Sequence, residues 1–366
     1  MSEAAHRSLE TVTRRSSVIV CCGPGGVGKT SVAAALALAA AQLGRNVCVV
    51  TIDPARRLAD ALGIEKVPNV AHRVEGAWSG TLSAVMLDAA GTFDELVARY
   101  ATSPEQIERI SSNRLYQNLI GSLSGTQEYM ATERLFALEQ SGEFDLIVVD
   151  TPPSRHAVDF LSAPRRLTGF LDNRVFRVLV SQGSGPLRAV SFASQLLLRT
   201  IAKVAGSEII DDTIAFFRAF DGMEKGFRDR AKAVEELLDA PSTAYVLVST
   251  PRAASLAETT WLAERLIDER HVVDALIFNR MLPMSSPPPE LADDHVRTGS
   301  PTAWDRLVEN ALALGAMAHA EEELIAKAPI CARVGTVRRL PMLDADVHDL
   351  GSLDLLSRHL LSGELA

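Results

Sequence analysis

The sequence predicts an α/β fold, a mostly parallel sheet flanked by helices and interrupted by a helical insertion. Three observations lead there. Compact apolar runs of strand length alternate with helical stretches towards both ends of the chain, the pattern of a sheet covered on both faces. The residues that close those runs include Gly23, Asp53, Asp150 and Asn279, and open parallel sheets gather their ligands beyond the carboxyl ends of strands. Between about Asp88 and Ala240 the alternation lapses, leaving one strand-like run among helical sequence.

In chain order, the buried strands are expected at residues 17–22, 47–52, 83–87, 146–150, 244–249 and 272–278. An Ala-rich helix is expected over 31–43. Inside the insertion Leu187, Val190, Ser194, Leu197, Ile201 and Val204 recur at three- and four-residue spacing, and Phe216, Phe217 and Phe220 follow. Such faces pack on one another or offer apolar surface to a client, and the first reading is the commoner. Residues 284–290, with Pro287, Pro288 and Pro289, read as a loop. No internal repeat is present. The whole chain, 1–366, is expected to be one domain, with a core of 16–87, 143–160 and 241–366 and a helical subdomain of about 88–142 and 161–240.

Composition narrows the function. The chain has 366 residues, 47% of them hydrophobic, enough for a substantial core. No run approaches the ~18 consecutive apolar residues of a membrane span, and residues 1–17 lack the apolar centre of a secretory signal, so the cytoplasm is the expected location. A net charge of −9 argues against nucleic acid as a partner. The four cysteines, Cys21, Cys22, Cys48 and Cys331, form no C-x-x-C pair, and the first three read as strand filling. The histidines, including His295, show no metal-ligand spacing.

The segment Gly23-Pro24-Gly25-Gly26-Val27-Gly28-Lys29-Thr30 fits G-x-x-x-x-G-K-[ST] and stands between an expected strand and an expected helix, the context the motif requires. Chemistry follows from the residue types. Gly23, Gly25, Gly26 and Gly28 let the backbone of the loop, with Val27 and Ser31, turn its N–H groups towards an anion, and the helix beyond adds its positive end. Lys29 is placed to reach the β- and γ-phosphates, and the Thr30 hydroxyl to ligate Mg²⁺. Asp150, closing a buried run, is the second metal-side group, holding Mg²⁺ through a water. Asp53 is a candidate to orient the attacking water, although an Asp before Pro54 is equally compatible with a helix cap. Guanine-specific relatives of this loop carry N-K-x-D after a late strand. Here the string is Asn279-Arg280-Met281-Leu282. Adenine is therefore favoured, with Asn279 against the base and residues 338–343 as a lid.

Together Gly23 to Thr30, the string Thr51-Ile52-Asp53-Pro54-Ala55-Arg56-Arg57-Leu58-Ala59-Asp60, and Asp150-Thr151-Pro152-Pro153-Ser154-Arg155-His156 resemble the ArsA/Get3 family of anion-pump and tail-anchored-protein-targeting ATPases. The resemblance spans nearly the whole chain and includes Phe278-Asn279-Arg280 and Leu340-Pro341. It implies a P-loop NTPase fold and Mg-ATP hydrolysis, with Lys29 and Asp53 catalytic, Asp53 in switch I, and Asp150 and His156 in switch II. It implies Asn279, Arg280 and Pro341 around the nucleotide, and dimers that close on ATP and open after hydrolysis.

This chain departs from the family pattern at Pro24, where members carry a lysine that reaches the partner's nucleotide. Proline supplies neither the charge nor an N–H. The expectation is that either Arg56 or Arg57 compensates, or that the working dimer pairs this chain with a related subunit that keeps the lysine. The cysteines of the metalloid branch and the zinc-binding C-x-x-C of the targeting branch are both missing, so neither arsenite stimulation nor zinc is expected. Three functions fit these features. One is a homodimeric or heterodimeric ATPase whose helical insertion docks a hydrophobic protein client or membrane partner; the others are a weakly catalytic regulatory subunit and an ATP-using small-molecule enzyme of the same fold.

Overall fold

A computed structural model describes residues 8–52, 57–113, 116, 126–173, 215–216, 218–284 and 303–362. The chain divides into two compact units, one of Met1–Met86, Ser141–Val158 and Pro241–Ala366, the other of Leu87–Gln140 and Asp159–Ala240.

The first unit is built on an eight-stranded sheet. Its strands are β1 (Val18–Cys22), β2 (Asn46–Thr51), β3 (His72–Val74), β4 (Thr81–Met86), β5 (Leu146–Asp150), β6 (Thr243–Ser249), β7 (Val273–Met281) and β8 (Thr336–Pro341), in the order β3-β4-β2-β5-β1-β6-β7-β8. All neighbours are parallel except β3, which runs antiparallel to β4. The α/β fold with a mostly parallel sheet is therefore the one the sequence predicts. From β1 the chain goes outward to β2 and β4 on one side and later to β6, β7 and β8 on the other. The carboxyl end of β1 thus lies at the reversal of strand order, where doubly wound sheets bind ligands.

The helices of this unit are α1 (Leu9–Arg15), α2 (Lys29–Gln42), α3 (Arg57–Leu62), α9 (Ala253–Asp268), α10 (Ala303–Ala326) and α11 (Leu350–Ser362). α2 is apolar on every side, and Val32 to Ala41 are buried without a break. A helix of that kind needs cover all round. It packs on β2 and β5 and is covered by α3 and α11. Its alanines allow the close approach while keeping the highest helix propensity. Cys21, Cys22 and Cys48 are buried in β1 and β2 and do fill strands.

The second unit contains α4 (Ala89–Tyr100), α5 (Pro104–Ser111), most of α6 (Thr126–Ser141) and of α7 (Ser154–Leu171), and α8 (Glu224–Leu238). Asp88 and Ser103 cap α4 and α5 through their side-chain oxygens. Phe93, Phe216, Phe220 and Phe227 form an aromatic centre with ring centroids 4.9 to 6.3 Å apart. Of the apolar faces noted in the sequence, Phe216 and Phe220 thus pack internally; residues 187–204 and Phe217 lie outside the described residues. In the same unit, Arg230 Nε donates to both Glu133 carboxylate oxygens at 2.7 and 3.0 Å, and its guanidinium stacks 4.2 Å over Phe136. Among the described residues no helix is long and apolar enough to cross a membrane.

Two strands and one boundary differ from the sequence expectation. β3 and β8 form no apolar run, because each is an edge strand covered on one side only. Residues 338–341, expected in a lid, lie within β8 and pair with β7. β7 continues past Phe278 to Met281 through a shift of register at Arg280, whose φ is +61.

Candidate functional site

The loop after β1 owes its shape to its glycines. Gly23 has φ +154, and a Cβ there would collide with the Val248 carbonyl of the neighbouring β6. Gly28 has φ +90 and is the residue from which α2 starts. Its missing Cβ leaves room for Asn279 Nδ2, which donates to the Val27 carbonyl at 2.9 Å. Asn279 Oδ1 accepts from Arg280 N at 3.0 Å, and Arg280 Nη1 donates to the Gly26 carbonyl at 3.3 Å. The end of β7 therefore clamps the loop across some 250 residues of sequence. The carboxamide expected to face the base is bonded at both ends within the protein, and each end retains one hydrogen-bonding position.

Lys29 is buried in the first turn of α2, and its ammonium donates to the Pro24 carbonyl at 2.8 Å. Burial pushes its pKa down; the Asp150 carboxylate and the Cys22 thiol oppose that, Arg57 adds to it, and Glu258 also opposes it. The next residue faces the metal side. Thr30 Oγ1 donates to Asp150 Oδ2 at 2.8 Å, and Thr51 Oγ1 donates to the same oxygen at 3.1 Å. Strand register explains the meeting, since Asp150 stands opposite Cys21 on one side and Thr51 on the other. Thr51 was not singled out in the sequence, although it ends a strand two residues before Asp53. Burial, reinforced by Asp150, raises the Cys21 thiol well above its ordinary range, and burial raises Cys22 to about 11. Both thiols are therefore protonated and inert at neutral pH.

After Asp150 the chain turns back along the loop. The Thr151 hydroxyl donates to the Cys21 carbonyl at 2.7 Å. Pro153 Cγ lies 3.9 Å from the position a Gly25 Cβ would take. Ser154 then opens α7 with its hydroxyl buried. A cavity of about 610 Å³ opens here, with Pro153, His156, Glu258 and Trp261 in its walls. Ser31 follows Thr30 on α2, and Pro341 ends β8 opposite Met281. Asp53 and Arg56 lie outside the described residues.

The donor set fits a hard cation bound with phosphate. A threonine hydroxyl and a carboxylate within hydrogen-bond distance offer oxygen alone, as Mg²⁺ prefers, and the positive-φ glycines form a cradle that side chains would fill. Strand, glycine loop and helix at the reversal of a parallel sheet, with an acid on the adjoining strand, define a P-loop nucleotide hydrolase.

Within that class the particular family is set by comparison of sequences. Residues 16–292 match the family described as anion-transporting ATPase, and the chain belongs to it. Among its relatives is an ATPase GET3 of Malassezia globosa, 26% identical over 338 residues, covering 90% of this chain and 90% of that one. Another is an ATPase get3 of Aspergillus terreus, 27% identical over 278 residues, covering 75% and 76%. The resemblance to ArsA/Get3-type ATPases and the assignment as an ATPase both stand.

Proposed function

We propose that this chain binds Mg-ATP between Gly23 and Thr30 and hydrolyses it as a dimer whose opening and closing is coupled to a protein client or membrane partner in the cytoplasm. The observation that carries the nucleotide part is the single carboxylate oxygen of Asp150 shared by Thr30 and Thr51 at the mouth of the glycine loop. Thr30 and Asp150 would hold the cation; when bound, Mg²⁺ neutralises charge on the phosphate oxygens. Lys29 leaves the Pro24 carbonyl for the phosphates, which replaces a neutral acceptor by a charged one. Asp53 orients the attacking water. The clamped cradle keeps its N–H groups oriented before the nucleotide arrives, so little reorganisation accompanies reaction. Asn279, Arg280 and Pro341 form the nucleotide's far wall, and the helical unit, residues 88–142 and 161–240, handles the client. The dimer and client reading rests on the resemblance to ArsA/Get3-type ATPases, to which the relatives named GET3 add likeness over most of the chain.

The test is steady-state ATPase activity of Asp150→Asn beside the wild type. Loss of one group that stabilises charge at the reaction centre lowers turnover by about 100-fold or more. Turnover within threefold of wild type would remove Asp150 from the site.

A second reading rests on Pro24. Its carbonyl receives Lys29, and its ring supplies no cation to a partner. The chain would then be the weakly catalytic member of a heteromeric pair. Activity of the chain alone, equal to that with a lysine-bearing relative added, rules this reading out.

A further inference from the structure

The exposed apolar side chains of the described residues gather on α10. Trp304, Leu307, Leu312, Leu314 and Met317 lie 47 to 60% exposed along it, whereas no other described helix or strand leaves more than one large apolar residue in water. Exposed patches of this kind mark contact surfaces.

The helix turns Val308, Gly315, Ala318 and Ile325 inward. On the opposite face Arg306, Glu309, Ala313, Ala316, Ala320 and Glu323 follow one another at three- and four-residue spacing, and all six are exposed. That is the heptad period of a seam between two helices. From Asn310 to Ala320, about three turns, the only titratable side chain is His319. The solvent face of a globular helix is polar as a rule, and this stretch departs from it.

The order of the charges selects what covers the seam. Set against a copy of itself running the opposite way, with Ala313 facing Ala316, the seam brings Arg306 to Glu323 and Glu309 to Ala320, and the two-fold axis repeats each pair at the other end. A parallel pair would set Arg306 against Arg306, Glu309 against Glu309 and Glu323 against Glu323, which like charges oppose. The central alanines let two backbones approach closely, and Leu312 and Met317 stand on either side of them to close the flanks. Within its own helix Glu323 pairs with Lys327 at 3.0 Å, an exposed i, i+4 contact that gives way at little cost.

We propose that α10 docks on α10 of a second copy of this chain as an antiparallel pair, with Ala313 and Ala316 at its centre and Arg306 against Glu323 at both ends. The contact goes beyond the nucleotide-gated dimer, because no nucleotide enters it. It holds two chains together whether the cradle is filled or empty, and it stands apart from the reading of Gly23 to Thr30.

The experiment is sedimentation velocity over a dilution series of the full chain without nucleotide, on wild type, Ala316→Arg, Arg306→Glu, Glu323→Arg and the double reversal. Wild type is expected to pass from dimer to monomer on dilution. Ala316→Arg, which drives a long charged side chain into the closest contact, raises the dissociation constant by about tenfold or more. Each single reversal weakens the dimer about fivefold through the two equivalent ion pairs, and the double reversal returns it to within about twofold of wild type. All substituted positions are exposed, so helix content by circular dichroism stays at the wild-type level; if Ala316→Arg loses helix, the reversals carry the test alone. A wild type that is monomeric throughout the series, a dimer indifferent to Ala316→Arg, or a double reversal no tighter than the single ones would each overturn the assignment. So would flotation of a monomeric wild type with vesicles of anionic phospholipid, which would give the face to a membrane instead.

Discussion

Replacing Gly28 by alanine probes how the loop is held. At φ +90 an L-residue carries roughly 1–2 kcal/mol of backbone strain. The new methyl also occupies the space of Asn279 Nδ2, so the bond from that nitrogen to the Val27 carbonyl is lost, worth about 1 kcal/mol. The two terms sum to about 2–3 kcal/mol, which corresponds to roughly 30- to 150-fold in nucleotide affinity if the loop must regain its shape to bind. Asn279→Ala alone removes the bond without the strain and should weaken binding about fivefold. In the double variant the methyl meets no amide and the bond is already gone, so the combined loss should be about 1 kcal/mol smaller than the sum. Calorimetric titration of the four proteins with a slowly hydrolysed ATP analogue reads all the terms. Gly28→Ala binding within twofold of wild type, or strict additivity with Asn279→Ala, would refute the view that Gly28 makes room for the clamp.

Two further outcomes follow from buried charge. Lys29→Met should abolish nucleotide binding yet leave the free protein at least as heat-stable as wild type at pH 7. Burial lowers the lysine pKa below its ordinary 10.5 in the fold, so its charge destabilises the folded state wherever both states are protonated. That penalty fades as pH rises through the lowered value and is gone above about 10.5, so the stability advantage of Lys29→Met should shrink in alkaline buffer; an advantage that grows with pH would reverse the sign of the argument. In the helical unit, Glu133→Ala strands the guanidinium of Arg230, 11% exposed, and should destabilise that unit by about 3–5 kcal/mol in urea unfolding, with most of the loss recovered by Glu133→Leu combined with Arg230→Met. A single-variant loss under 1 kcal/mol would show the pair to be unimportant.

The core of the fold was legible because β1, β2, β5 and β6 are flanked on both sides in the sheet and so read as unbroken apolar runs between turn residues. β8 was hidden because Arg338 and Arg339 lie within it; on an edge strand their half-buried side chains can reach out, and Arg339 pairs with Glu322 of α10 at 2.8 Å. The three residues of β3 are too few for any periodicity to register. At the site, the glycine loop announced itself through spacing that few other structures require. Asn279 and Arg280 were noted as groups around a nucleotide, but their grip on Val27 and Gly26 was not, because no local pattern encodes a contact between residues so far apart. Thr51 stood only inside a longer string, and its role comes from register, which sets it beside Asp150 across β2 and β5.

The covering of α2 also has a consequence for the order in which the molecule can be made. β1 lies between β5 and β6, so Val18 finds its sheet neighbours at Ile147 and Thr243, and the helix that carries Lys29 is sealed by α11, Leu350–Ser362. Contacts so distant in sequence form slowly and late. On the ribosome the phosphate loop leaves the exit tunnel ahead of β5, β6 and α11, so its walls are complete only after those have followed. A nascent chain would therefore carry the motif before it has the means to use it.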